Sequence, residues 1–160
     1  MVDISAVGSS IQFSGGLNLV VTQFSDEGTP FDSPDVDLSE NGKNLNGEMV
    51  SSRKPSVLTL NISVIPGSDD DRKLKSFARK NLLAKGNVEA ISSLKIEQAV
   101  LTIPAQNESA EGSPSRRIIC AFINGRMKTG SMGFSSSSEG RLSSGNYSFE
   151  FENIKMSGNL

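Results

Sequence analysis

The sequence predicts a mainly β fold: an antiparallel β-sandwich or barrel with one flanking α-helix at about residues 69–85 and a long loop at about 25–47. Three observations carry this. Apolar residues alternate with polar ones in several short runs, most cleanly at Leu58–Val64 and Tyr147–Phe151, which is the period of a sheet with one wet face. Helical spacing of apolar residues is strong only after Pro66-Gly67. Fifteen Gly and many Ser in 160 residues fit a chain rich in turns. The length suits one domain spanning residues 1–160.

In chain order, residues 1–9 are small and polar and read as a loose arm. Ile11 and Phe13, then Leu17–Phe24, read as two short strands around the turn Ser14-Gly15-Gly16. Residues 25–47 lack usable periodicity and carry six acids (Asp26, Glu27, Asp32, Asp35, Asp37 and Glu40) against Lys43. A loop of this length is usually functional or disordered. It is read either as a solvated surface loop or as an arm that folds onto another subunit, anchored by Phe31, Val36, Leu38 and Leu45. Glu48–Lys54 reads as a strand, broken by Pro55 from the next, in which Leu58, Leu60, Ile62 and Val64 share one face.

Ser68 is placed to cap the helix, and Asp69, Asp70 and Asp71 set negative charge at the positive end of its dipole. Leu74, Phe77, Ala78 and Leu82 form a narrow apolar stripe, and Gly86-Asn87 is the stop signal. Leu94–Ile103 reads as a strand with Leu94, Ile96 and Val100 on one face, and Pro104–Ser115 as a polar hairpin tip. Arg117–Asn124 is apolar on both faces, so it belongs at the centre of a sheet or under cover on both sides. Gly125–Gly140 reads as a Gly- and Ser-rich connection, and Asn146–Ile154 closes the fold with Tyr147, Phe149 and Phe151 inward.

The catalytic inventory is small. There is no His, so the commonest general base and zinc ligand are missing. The single Cys120 lies in the most apolar run, where an inert buried thiol is expected. The three consecutive Asp lack the alternate spacing and central Gly of a calcium loop. No phosphate-cradling Gly motif occurs, and the Asn61, Asn107 and Asn146 sequons mean nothing without secretion. No enzyme and no cofactor is expected. The formal net charge of -2 argues against a general DNA-binding surface. The N-terminus lacks the basic and apolar regions of a signal peptide, and no apolar run is long enough to span a bilayer, so a soluble cytoplasmic product is expected. The helix segment carries six bases, including Arg72, Lys73, Arg79 and Lys80, beyond its acidic first turn. With the acidic arm, this segregation suits head-to-tail contacts between copies.

Several stretches together resemble the phage tail tube proteins, to which the type VI secretion tube protein is similar. They are the Ser-Gly-Gly turn before a strand (Ser14–Phe24), PFDSPDVDLSENGKNLNGEMV, the strand entering IPGSDDDRKLKSF, and GRLSSGNYSFEFENI. The resemblance spans about Ile11–Ile154. It implies a structural virion protein whose hexameric rings stack into a tube, their inner strands joined in one barrel around a channel for genome DNA. It also implies sheath, baseplate and terminator proteins as partners, no catalytic residues, and a place in the viral tail after synthesis in the host cytoplasm. Arg72, Lys73, Arg79 and Lys80, with the four arm anchors, are then the subunit-interface candidates. Glu48, Glu97, Glu150 and Glu152 are lumen candidates, since an acidic lining does not hold DNA. The alternatives are a baseplate-proximal or tail-terminator ring protein of the same fold, or a small ligand-binding β-barrel. Zero Trp and one Tyr weigh against a sugar site.

Overall fold

The computed structural model describes residues 2–4, 8–25, 29–53, 56–84, 91–107, 116–136 and 140–158. Ten strands and one helix form among them: β1 (Val2–Ile4), β2 (Ser10–Gly15), β3 (Leu19–Val21), β4 (Phe31–Asp32), β5 (Ser39–Lys43), β6 (Met49–Arg53), β7 (Leu58–Val64), α1 (Asp69–Leu83), β8 (Ile96–Asn107), β9 (Arg116–Gly130) and β10 (Gly145–Gly158). Eight strands make one antiparallel sheet in the order β3-β2-β8-β9-β10-β7-β4, with β1 on β8, while β5 and β6 pair only with each other. The sheet curls into a half-barrel. The chain leaving β3 meets β7 through a Phe24–Val64 bridge and two backbone hydrogen bonds, Ser25 to Ser63 and Ile65 to Gln23.

The core lies inside this curl. Leu60, Ile62 and Val64 of β7 face it, as do Phe149 and Phe151 of β10 and Phe13 of β2. The Phe13 and Phe149 rings sit 4.8 Å apart, and Phe122 and Phe151 5.4 Å apart, inside the range where aromatic pairs attract beyond their buried area. Helix α1 closes the curl against β3 and β9 with Leu74, Phe77 and Ala78. The approach is close because Gly130 lies beneath it: a Cβ there would stand 2.8 Å from that of Ala78.

Several expectations are corrected. Residues 2–4 are a paired strand, since their backbone completes the edge of β8 at Ala105–Asn107. The stretch 25–47 holds β4 and β5, whose polar residues conceal the pairing from a search for alternating apolar residues. Leu82 is 59% exposed, and the buried helix face is completed by Lys75 instead. Val100 faces away from the buried Ala99 and Leu101 on either side of it, while Ile96 is buried as expected. The long strands β8 and β9 absorb the ends of both connections read as loops, running to Asn107 and Gly130. The hairpin tip at 108–115, the Lys54-Pro55 break, Lys85 and the Gly86-Asn87 stop lie outside the described residues.

The outward turn of Val100 has one physical cause. Gln98, Ile123 and Asn153 pair in a row across β8, β9 and β10. Along this row each strand turns two consecutive residues away from the core: Glu97 and Gln98, Ile123 and Asn124, Glu152 and Asn153. Asn124 takes φ 55, Gly15 takes φ 101, and the β2–β8 register slips between Ser14 and Gly15. Such irregularities re-aim every later side chain on a strand. The inward set therefore changes from Ile96, Gly125 and Phe151 on one side to Ala99, Phe122 and Ile154 on the other.

Candidate subunit interfaces

The N-terminus of α1 is fastened by its own acids. Ser68 accepts from the Asp71 backbone N–H at 3.2 Å, and Asp71 Oδ2 reaches back to the Gly67 N–H at 3.0 Å, a reciprocal cap. Asp71 is fully buried, in space left open by Gly145. Its Oδ1 accepts from the Tyr147 hydroxyl at 2.7 Å and pairs with Lys75 Nζ at 3.2 Å. Lys75 also donates to Tyr147 and to Ser131, and its ammonium lies 4.7 Å from the centre of the Phe134 ring. Burial, then the hydrogen bond and negative charge of Asp71, push the Tyr147 hydroxyl well above the ordinary tyrosine range. Asp70 accepts from the N–H groups of Thr22 and Gln23, tying the exit of β3 to the helix. These acids thus do more than cap. They and Lys75 weld helix to sheet, leaving the outer helix face for other contacts.

That outer face carries Arg72, Lys73, Arg79 and Lys80, all exposed. Lys73 and Lys80 line one groove with Gly16, Leu17, Asn18 and Ser76. At the far end of the helix, Leu83 is 79% exposed.

The arm candidates divide. Phe31 is half-buried, paired with Ile62, and its ring stands 5.6 Å from that of Phe24, so it anchors the arm to its own subunit. Val36 is half-buried, while Leu38 and Leu45 are exposed. Every residue of the β5–β6 hairpin is exposed, including Met49 and Val50. Its turn is held by Asn44, whose side chain accepts from the N–H groups of Asn46 and Glu48.

The four Glu do not form one patch. Glu48 lies beside the hairpin turn and Glu97 at the β8 irregularity. Glu150 and Glu152 line a shared hollow with Lys95 and Arg126, and Glu150 pairs with Lys128 at 3.1 Å. The polar face of β10 is therefore of mixed charge. Its neighbours on β7 extend it with hydrogen bonds from Ser63 to Asn146 and from Ser148 to Asn61, both 2.6 Å.

One surface escaped sequence reasoning. β7 stops opposite Phe151, whereas β10 runs on to Gly158 with β9 on one side. Among the described residues no strand pairs with the other side of residues 152–158. Ile154 and Met156 share the inner face of Phe122 and Cys120 yet are 37% and 72% exposed. The signal was present: apolar residues fall at 147, 149 and 151, then at 154 and 156, a change of phase. The lone Cys120 is buried, and burial raises its thiol pKa. No group of three or more His, Cys, Asp or Glu able to hold a metal forms among the described residues.

No curated protein matches the chain. Solved structures share its fold at low identity. The anti-feeding prophage tube-terminating cap aligns at 10% identity and TM-score 0.58, over 98% of this chain and 92% of its own. The sheath/tube terminator of the extracellular contractile injection system PVC, in its extended state, aligns at 12% and 0.54 over 97% and 96%. A chain of the PVC sheath–tube complex aligns at 10% and 0.58 over 98% and 93%. At these identities the likeness is one of fold, and a family model places the chain among phage-tail-like proteins. That model, described as tail fiber protein gp32, matches residues 2–155, and the chain belongs to this family.

Proposed function

We propose that this protein is a non-catalytic structural subunit that closes into a ring at the end of a phage-type tail tube, as a terminator or cap. The observation that carries this reading is the edge of β10 beyond Phe151, with which no further strand pairs among the described residues. A long edge strand with exposed apolar residues is a template for pairing with another chain, and pairing with a neighbour's edge would cover Ile154 and Met156 and continue the sheet from subunit to subunit. That two of the similar structures are a tube-terminating cap and a sheath/tube terminator favours the tube end over its body. Tail tube and sheath subunits are then the partners, and DNA passes the ring without being held.

A subunit of the tube body is the second reading. The exposed β5–β6 hairpin favours it, because an isolated two-stranded hairpin is marginal in water and a stacked ring would cover it. Negative-stain electron microscopy and light scattering over a concentration series separate the two. Closed rings that do not stack, and that cap tubes of a cognate tail protein on mixing, are expected. Open-ended tubes from this chain alone would move the assignment to the tube body. A monomer at every concentration, with no binding to tubes, would overturn both.

A further inference from the structure

We infer that the groove between the outer face of α1 and the β2–β3 turn receives the acidic arm of a second copy of this chain, Lys73 and Lys80 pairing with Asp32 and Asp35. This deepens the ring reading above and rests on it. The groove presents two ammonium groups on one helix face, together with Asn18 and Ser76. Neither Lys73 nor Lys80 pairs with an acid among the described residues, and neither Asp32 nor Asp35 with a base.

The spacing of the two charge pairs agrees. Seven residues of helix separate the lysines by roughly 10 Å along the axis. Three residues of extended chain separate the aspartates by roughly 10 Å as well. Pro34 biases Ser33 toward that extended form, and residues 33–38 carry no strand or helix of their own. The arm's root is fixed, because Phe31 and Asp32 pair with Ile62 and Asn61 on β7. Groove and arm root are different surfaces of the subunit, one between α1 and the β2–β3 turn and the other on β7. A contact between two different surfaces is heterologous, so it repeats from copy to copy and closes a ring when the rotation allows.

The test is charge reversal with rescue. Asp32→Lys/Asp35→Lys and Lys73→Glu/Lys80→Glu chains are prepared separately, checked for folding by circular dichroism, and compared with wild type by light scattering. Each reversed chain alone is expected to need a concentration about tenfold or more above wild type to assemble, since like charges now face each other. An equimolar mixture is expected to assemble near the wild-type concentration, because each arm then meets a groove of opposite sign. A chain carrying all four substitutions should assemble alone. If a reversed chain fails to fold, Asp32→Asn/Asp35→Asn and Lys73→Gln/Lys80→Gln replace it, with a smaller shift expected. Rings that form normally from either reversed chain, or a mixture that does not recover, would overturn the contact and leave the ring reading intact. A wild-type chain that stays monomeric would overturn the ring reading and the contact with it.

Discussion

At the residue scale the most constrained group is Tyr147, buried between sheet and helix with Asp71 and Lys75 on its hydroxyl. Its pKa in the folded chain lies above the value near 10 of an unfolded tyrosine. A raised folded-state value means the stabilisation is fully present below about pH 10 and is lost as pH rises beyond it. Tyr147 is the only tyrosine and there is no Trp, so the red-shifted absorbance band of tyrosinate reports this residue alone. Tyrosinate should appear only together with loss of the circular dichroism of the fold; its appearance in the folded protein would contradict the buried network. Lys75→Met should be more damaging than an exposed charge change. It leaves the buried Asp71 carboxylate without its cation, at a cost of about 3–5 kcal/mol, read as a lower urea midpoint. A shift as small as that of Lys80→Met would show that water reaches Asp71.

At the element scale, glycines set how closely strands and helix approach. A Cβ on Gly125 would run into the Phe151 ring and the Glu150 carbonyl. Gly125→Ala is therefore expected to destabilise by about 1–3 kcal/mol, measured by thermal or urea unfolding, whereas Gly42→Ala meets open space and should change little. The β5–β6 hairpin is the opposite case. It adds no residue to the buried core, so replacing residues 38–53 with a short Gly-Ser linker should leave the unfolding midpoint nearly unchanged. Assembly should be the property lost. Tubes or rings forming from that variant as from wild type would remove the hairpin from the interface.

At the scale of the whole molecule, the curled sheet leaves, among the described residues, an open edge where β10 outruns β7. Lysine on an edge strand discourages pairing, and a surface substitution usually moves stability by less than about 0.5 kcal/mol. Met156→Lys is thus expected to keep the monomer's melting temperature while abolishing rings. Wild type, by contrast, should melt at a temperature that rises with protein concentration, because association stabilises the folded chain. A melting temperature independent of concentration, across a range in which rings are seen, would separate ring formation from stability.

Taken alone, the sequence determined what depends on local pattern. It yields the mainly β class, the β7 face, the Ser68 cap and the inward row Tyr147, Phe149 and Phe151, because alternation and capping are read over a few neighbouring residues. The arm of Phe31, Val36, Leu38 and Leu45 is legible as a feature and β6 as a strand, but not their hairpin, since β5 is polar throughout and carries no alternation. Tertiary structure alone decided the rest. Lys75 is buried because Asp71 and Tyr147, distant in the chain, converge on it. The change of face along Gln98, Ile123 and Asn153 needs three strands in register before it means anything. The edge of β10 beyond Phe151 has no partner strand among the described residues because β7 stops short there. Whether a polar or apolar residue is covered depends on which strand lies beside it, and that is set by contacts across the whole chain.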